Sequence, residues 1–250
     1  MHTRKRNEDF MKYSMPLQVR YSEVDIYGLA KPYKILEYFQ DCCIMQSESL
    51  GYKVKEELEK DRGWFLLSWN VDIHQRPSMG EVLKIVTEPY KMRGFYGYRR
   101  FWLENQKGEI YVSADSLWLL MDLKKMIPQR VPKDMVAAYI QDVSDDQIRV
   151  KRKLEEQGEW SKVEEFVVSH HYLDSNSHVN NAHYIMWAEE HLPEDFQIRK
   201  VMVDYRQSSF EHDRITCSRI IEENKIRIRF TNQKDTLIAL LEFSADDSIL

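Results

Sequence analysis

The sequence predicts an α+β fold made of two copies of one unit, each a strand, a polar turn, a buried helix and a set of antiparallel strands. Three observations carry this reading. The same order of elements runs through the chain twice, and residues repeat with it: Val71-Asp72 matches Val203-Asp204, and Asp25 before the first helix matches Asp174 before the second. Between the copies, Gln141 to Trp160 is highly charged and poor in apolar residues, which is linker composition. The expected division is 1–140, a linker at 141–160, and 161–250.

Met15 to Val24 has the mixed polar and apolar character of a strand, and Asp25-Ile26-Tyr27-Gly28 marks a turn. From Pro32 to Leu50 the apolar positions Ile35, Leu36, Phe39, Cys42 and Cys43 recur at spacings of three and four, so a helix with one buried face is expected. Gln46 interrupts that stripe and Gly51 ends it. Tyr52 to Asp61, rich in Lys and Glu, predicts one or two exposed helical turns. Aromatic and β-branched runs then follow at Trp64 to Ile73, Glu81 to Tyr90, Phe95 to Glu104 and Glu109 to Leu120. The breaks are Pro77-Ser78-Met79-Gly80, Arg93-Gly94 and Lys107-Gly108, and four strands joined by such short turns predict an antiparallel meander. Pro128 and Pro132 close the unit, with a short helix expected over Lys133 to Tyr139.

The second copy opens with a strand from Lys162 to His171 and a buried helix over Ala182 to Ala188. Strands are expected at Phe196 to Arg206, Arg214 to Glu222, Lys225 to Phe230 and Thr236 to Phe243. Strict alternation in Lys225-Ile226-Arg227-Ile228-Arg229-Phe230 gives that strand one buried and one wet face.

Composition narrows the function. The chain has 250 residues, 43% hydrophobic and 31% charged, enough to bury a core without staples. A formal charge of -5 and a pI near 5.9 argue against a nucleic-acid binder. The basic clusters at Arg99-Arg100, Lys124-Lys125, Arg149 to Lys153 and Arg199-Lys200 read as solvated surface, any one of which could meet an acidic partner. The strongest apolar runs, Leu117 to Met121 and Leu237 to Leu241, are too short to cross a bilayer, so no membrane insertion is expected. Cys42, Cys43 and Cys217 make neither a disulfide framework nor a metal spacing. Together with a basic start that lacks an apolar signal core, they predict a cytosolic protein.

Chemistry concentrates in Asp174 to Trp187. An acid, a carboxamide and an imidazole stand at alternate positions, Asp174, Asn176 and His178, immediately before the helix. Asn180 and Asn181 are placed to cap its first turn, whose free amides favour negative charge. Such a helix tip is suited to holding the oxygen of a carbonyl under attack, with Asn180 as the candidate substrate-binding position. A histidine, with an intrinsic pKa of about 6.5, can take a proton from water or support a departing thiolate. Taken singly, each residue has a structural explanation: Asp174 and Asn176 shape a turn, Asn180 caps, and His178 packs.

As a whole, the run resembles the D-x-N-x-H-V-N-N-x-x-Y-I-x-W signature of the acyl-acyl carrier protein thioesterases, with every fixed position present. Arg99-Arg100-Phe101-Trp102-Leu103, Gly108-Glu109-Ile110 and Ser116-Leu117-Trp118 also resemble family strands, so the likeness extends from about Met15 onward. The resemblance implies a double hot-dog fold, in which each repeat is an antiparallel sheet wrapped around a central helix. It also implies that the N-terminal repeat shapes an acyl pocket and the C-terminal one carries catalysis. Asp174, Asn176 and His178 fall among the family's functional residues. The implied partner is acyl carrier protein with its phosphopantetheine-linked acyl chain. Lacking a long transit segment, the chain looks like the bacterial type. Two repeats in one chain permit a monomer and leave further pairing open. No Gly-rich phosphate loop and no metal motif is present, so hydrolysis without a cofactor is expected.

The pattern breaks once. Where the family commonly has an E-Y-R-R-E-C-like string, this chain reads Asp204-Tyr205-Arg206-Gln207-Ser208-Ser209, with serine at the acid position. Either Asp174 and His178 suffice, or Glu211 substitutes, or the activity is slow or altered. An acyl-coenzyme A thioesterase of the same fold, or an acyl-binding module without hydrolysis, are the alternatives.

Overall fold

In the computed structural model, which describes residues 12–140, 150 and 153–245, the two copies form one continuous sheet that curves around two helices. The first contains β1 (Tyr13–Gln18), α1 (Pro32–Ser49), α2 (Val54–Glu59), β2 (Arg62–Ile73), β3 (Val82–Arg93), β4 (Tyr96–Asn105), β5 (Ile110–Asp122), β6 (Ile127–Pro128) and α3 (Lys133–Tyr139). The second contains β7 (Ser161–Val167), α4 (Asn181–Glu189), β8 (Lys200–Tyr205), β9 (Arg214–Ile221), β10 (Lys225–Asn232) and β11 (Leu237–Ser244).

The strands run in the order β1-β3-β4-β5-β2-β8-β11-β10-β9-β7, all antiparallel, with β6 beside β5. Read from either edge inward, the order is the same, so the copies meet about the β2–β8 junction. There Ser68 faces Asp204, Asn70 faces Met202 and Asp72 faces Lys200.

Each helix fills the concave side of its own half-sheet. In α1, Phe39 packs on Trp69 and Phe101 at ring distances of 6.3 and 5.2 Å. In α4, Tyr184 and Trp187 close on Phe230 at 5.7 and 5.9 Å. Side chains of this size, fully buried, each contribute about 1.5–3 kcal/mol. The apolar stripe of α1 is the expected one, and Gln46 belongs to it as a buried residue.

Four expectations need correction. The first strand stops at Gln18, because Val19 turns to Glu81 and the Glu23 carboxylate accepts from the Arg20 amide, winding Tyr21–Glu23 into a 3-10 turn. The matching strand of the second copy stops at Val167 and likewise passes into a 3-10 turn, His170–Tyr172. The strand expected from Phe196 begins at Lys200. Of the four strands expected as a meander, β3, β4 and β5 form one, since β2 pairs with β5 and β8 rather than with β3. The segment Pro77 to Gly80 is a crossover rather than a hairpin: the Ala30 amide donates to Pro77, and Met79 donates to Gly28.

Of the expected linker, 141–149 and 151–152 lie outside the described residues. Residues 153–160 have neither helix nor strand and lie against the second copy, with the Leu154 amide donating to Asp204 and Arg227 and Arg229 over the Trp160 ring.

Candidate active site

Local sequence dictates the loop before α4. The Asp174 Oδ1 accepts the backbone N–H groups of Asn176 (2.8 Å) and His178 (3.2 Å), the turn that an aspartate makes with its own following chain. The Asp174 amide donates to the His178 carbonyl (2.7 Å), closing the loop. Ser177 sits at φ 61° inside it, a left-handed conformation that is strained for a residue with a Cβ. The far side is tied down by Val179, whose amide donates to the Ser209 carbonyl, and by Asn180, whose amide donates to that of Tyr172.

Asn180 does cap α4: its side chain accepts the Ala182 amide at 3.0 Å. With its own N–H engaged by Tyr172, its helix-end amide is not open to a ligand. The groups that remain at this tip are the Asn180 Nδ2 and the Asn181 N–H, neither with a partner among the described residues.

The loop forms one wall of a cavity of about 1130 Å³ that both copies line. Asp174, Asn176, His178 and Asn180 all border it. The His178 imidazole lies edge-on to Phe210 (5.0 Å, 80°) and 5.9 Å from Phe65 of β2, so residues from both copies position it. No hydrogen bond joins the His178 ring to Asp174 among the described residues, and Asp174 acts on His178 through the backbone.

Ser208, at the position of the missing acid, borders the cavity, but Glu211, the substitute considered for it, does not. The Glu211 carboxylate instead faces His170 at 3.5 Å on the exposed surface. His183 is structural, its Nδ1 paired with the Tyr172 carbonyl at 3.0 Å. Cys42 and Cys43 are buried, and burial pushes their thiols up to about 12 and about 11, where they are inert.

Two features of the cavity escaped the sequence reading. Arg99, taken for surface, is only 7% exposed; its Nη1 donates to Gln46 and to Thr87 (3.1 Å), and its guanidinium lies 5.7 Å from the Tyr139 ring. The signal was present, because Gly97, Arg99, Phe101 and Leu103 alternate onto one buried face of β4. Lys200 is also buried, beside Asp72 at 3.4 Å. The other omission is the polar face of α1, where Glu37, Gln40, Asp41, Ile44 and Ser47 border the cavity at helical spacing. Among the described residues no group of three or more His, Cys, Asp or Glu side chains is arranged to hold a metal, and no helix is long and apolar enough to cross a membrane.

Comparison with known proteins matches the chain to two family models. The acyl-ACP thioesterase N-terminal domain matches residues 11–139 and the acyl-ACP thioesterase C-terminal domain matches residues 154–242. A chloroplastic acyl-acyl-carrier-protein hydrolase of Cuphea viscosissima is 25% identical over 218 residues, covering 80% of this chain and 53% of the relative. Oleoyl-acyl carrier protein thioesterase 1 of Arabidopsis thaliana is 24% identical over 229 residues, covering 82% and 63%. The chain thus spans about half to two thirds of the length of the curated relatives it matches. Among solved structures, an acyl-ACP thioesterase from Bacteroides thetaiotaomicron superposes with a TM-score of 0.83 at 15% identity, covering 94% of this chain and 97% of that one. The 12:0-ACP thioesterase from Umbellularia californica superposes with a TM-score of 0.79 at 17% identity, covering 94% and 96%. The fold is the double hot-dog, and with both of its domain models matched the chain belongs to the acyl-ACP thioesterase family.

Proposed function

We propose that this protein hydrolyses the thioester of acyl-acyl carrier protein, releasing a free fatty acid and the carrier thiol and so ending chain elongation. The observation that carries this reading is the shared cavity, a space of about 1130 Å³ with aromatic and aliphatic walls that also receives Asp174, Asn176 and His178. Its apolar part suits an acyl chain, and its polar wall suits the thioester. In this reading the Asn176 carboxamide holds the attacking water or the carbonyl oxygen, and His178 supports the departing thiolate by proton transfer. Asp174 holds the loop in shape through Oδ1 and keeps Oδ2 for water or substrate. Residues 1–140 shape the acyl pocket, 161–250 carry the reacting groups, and 141–160 join them. Three buried free cysteines fit a reducing cytosolic setting.

Serine at position 208 favours a second reading, an acyl-binding module without hydrolysis. Thiol release measured over a panel of acyl chains, each carried by acyl carrier protein and by coenzyme A, decides between them. The expected result is faster turnover of the carrier-protein thioesters, reduced about 10²- to 10⁴-fold in His178→Ala at unchanged Tm. Equal or faster turnover of the coenzyme A thioesters overturns the choice of carrier. Binding of acyl chains with no thiol release overturns hydrolysis.

A further inference from the structure

We propose that Asp41, on the N-terminal helix α1, is a catalytic residue that supplies the carboxylate missing at Ser208, so that the reacting set is assembled from both repeats. This rests on the hydrolytic reading above and assigns its general base.

The cavity places Asp41 there, and the internal repeat places its neighbour Gln40. The cavity is bordered by Gln40 and Asp41 from α1 and by Asp174, Asn176 and His178 from the loop before α4. On one side of the helix pair, Glu189 near the end of α4 reaches the start of α1, where its carboxylate accepts the Tyr33 amide at 2.9 Å. In the repeat, Tyr33 corresponds to Ala182 and Glu189 to Gln40, so the same relation reversed sets Gln40, the residue before Asp41, toward the tip of α4. The two tips differ in one respect. Lys31 cannot cap α1 with its side chain, so Glu189 does. Asn180 caps α4 unaided, which leaves Gln40 and Asp41 free of that duty.

The surroundings suit a base. Asp41 is exposed at the cavity's border and forms no ion pair among the described residues, whereas neighbouring Glu37 is held by Lys34 at 2.6 Å. Burial of part of its surface raises the carboxyl above the ordinary aspartate value, Glu37 adds to the rise, and Lys34 opposes it. Across the cavity stand Asp174 and His178 before α4, Arg206 after β8, Glu57 and Arg62 at α2 and β2, and Arg99 on β4. Arg206 is engaged by Asp204 and Arg62 by Glu57, so the cation that acts on Asp41 is Lys34, itself held by Glu37.

In the proposed step the Asp41 carboxylate accepts one proton of a water molecule as the water oxygen bonds to the carbonyl carbon. The tetrahedral intermediate then breaks its C–S bond. The proton held by Asp41 passes to the departing sulfur, directly or through His178, leaving a carboxylic acid and a thiol.

The test uses the full chain and a carrier-protein thioester that the wild type hydrolyses. Asp41→Asn is expected to lower kcat about 100-fold or more with KM and Tm little changed, and Asp41→Glu to recover part of the loss. Glu37→Gln removes a negative charge beside Asp41, so the acid limb of the kcat/KM profile is expected to move to lower pH. Unchanged kcat in Asp41→Asn, or an acid limb that stays in place in Glu37→Gln, overturns the role of Asp41 while leaving the hydrolase reading intact. Absence of thiol release in the wild type removes both.

Discussion

The loops that lead into α1 and α4 are one structure carrying two chemistries. Asp25 Oδ1 accepts the amides of Tyr27 (2.9 Å) and Leu29 (3.1 Å), as Asp174 Oδ1 accepts those of Asn176 and His178. Gly28 at φ 75° stands where Ser177 stands at φ 61°. Ala30 donates to the carbonyl of Pro77, and Val179 to that of Ser209, so Arg76 corresponds to Ser208. Here the copies part. The Arg76 guanidinium takes Asp25 Oδ2 at 2.5 Å and also donates to the carbonyls of Ala30 and Leu29. Burial alone would raise the Asp25 carboxyl, but the hydrogen bond and charge of Arg76, with the two amides, hold it below the usual aspartate range. Asp174 Oδ2 has no such partner among the described residues. The first loop is a strut and the second keeps a carboxylate oxygen unclamped, so serine at position 208 leaves the second site unlike the first.

Exchanging the two residues breaks the comparison most severely. Ser208→Arg would give Asp174 the clamp that Asp25 has. Release of that clamp would then be needed in each turnover, and a loss of about 10- to 100-fold in kcat/KM is expected. The reciprocal Arg76→Ser leaves Asp25 and two carbonyls without their donor and is expected to cost about 1–3 kcal/mol in denaturant unfolding, with no gain in activity, because Tyr27 and Leu29 replace the amide and the imidazole. A Ser208→Arg variant with full activity would show that Asp174 needs no free oxygen.

The same comparison explains which parts of the molecule were legible beforehand. Helix α1 followed from a stripe of apolar residues, and the start of α4 from paired asparagines, because both are local consequences of helical geometry. The candidate loop before α4 stood out for the same reason, as all its groups lie within a few residues. What depended on distant partners was not. The apolar pattern of β2 states that it is buried, but its place between β5 and β8 is fixed by the crossover at Pro77 and by the other repeat. Gln46 looked like an interruption because its partner, Arg99, lies far along the chain on β4. Glu37, Gln40 and Asp41 lie off the apolar stripe of α1, and only the approach of the second copy makes that face a cavity wall.

The helix pair sharpens the contrast through pH. Burial pushes the Glu189 carboxyl up to about 8, aided by Glu190 and opposed by the Tyr33 amide, Arg76 and Lys31. A carboxyl raised on folding favours the protonated folded state. Its stabilisation is therefore complete below the ordinary glutamate value and is lost as pH rises through about 8. Glu189→Gln keeps the acceptor for Tyr33 and removes the charge. Its Tm is expected to match the wild type near pH 4 and exceed it at about pH 9. Parallel Tm profiles would show that Glu189 ionises in the fold at no cost.

The smallest effect is expected at Glu211, and it is informative because it is small. Sequence proximity makes this residue the natural substitute for the acid missing at Ser208, three positions away. Direction in space argues otherwise: the chain turns outward after Ser209, Phe210 is half exposed, and the Glu211 carboxylate meets His170 at the surface. Its contact with a side chain that is 77% exposed is screened by water and contributes little to stability. Glu211→Gln is therefore expected to leave both kcat/KM and Tm unchanged. A loss of activity in that variant would mean that the loop after β8 folds inward when substrate binds, returning an acid to the second copy from its own repeat and removing the need for one from α1.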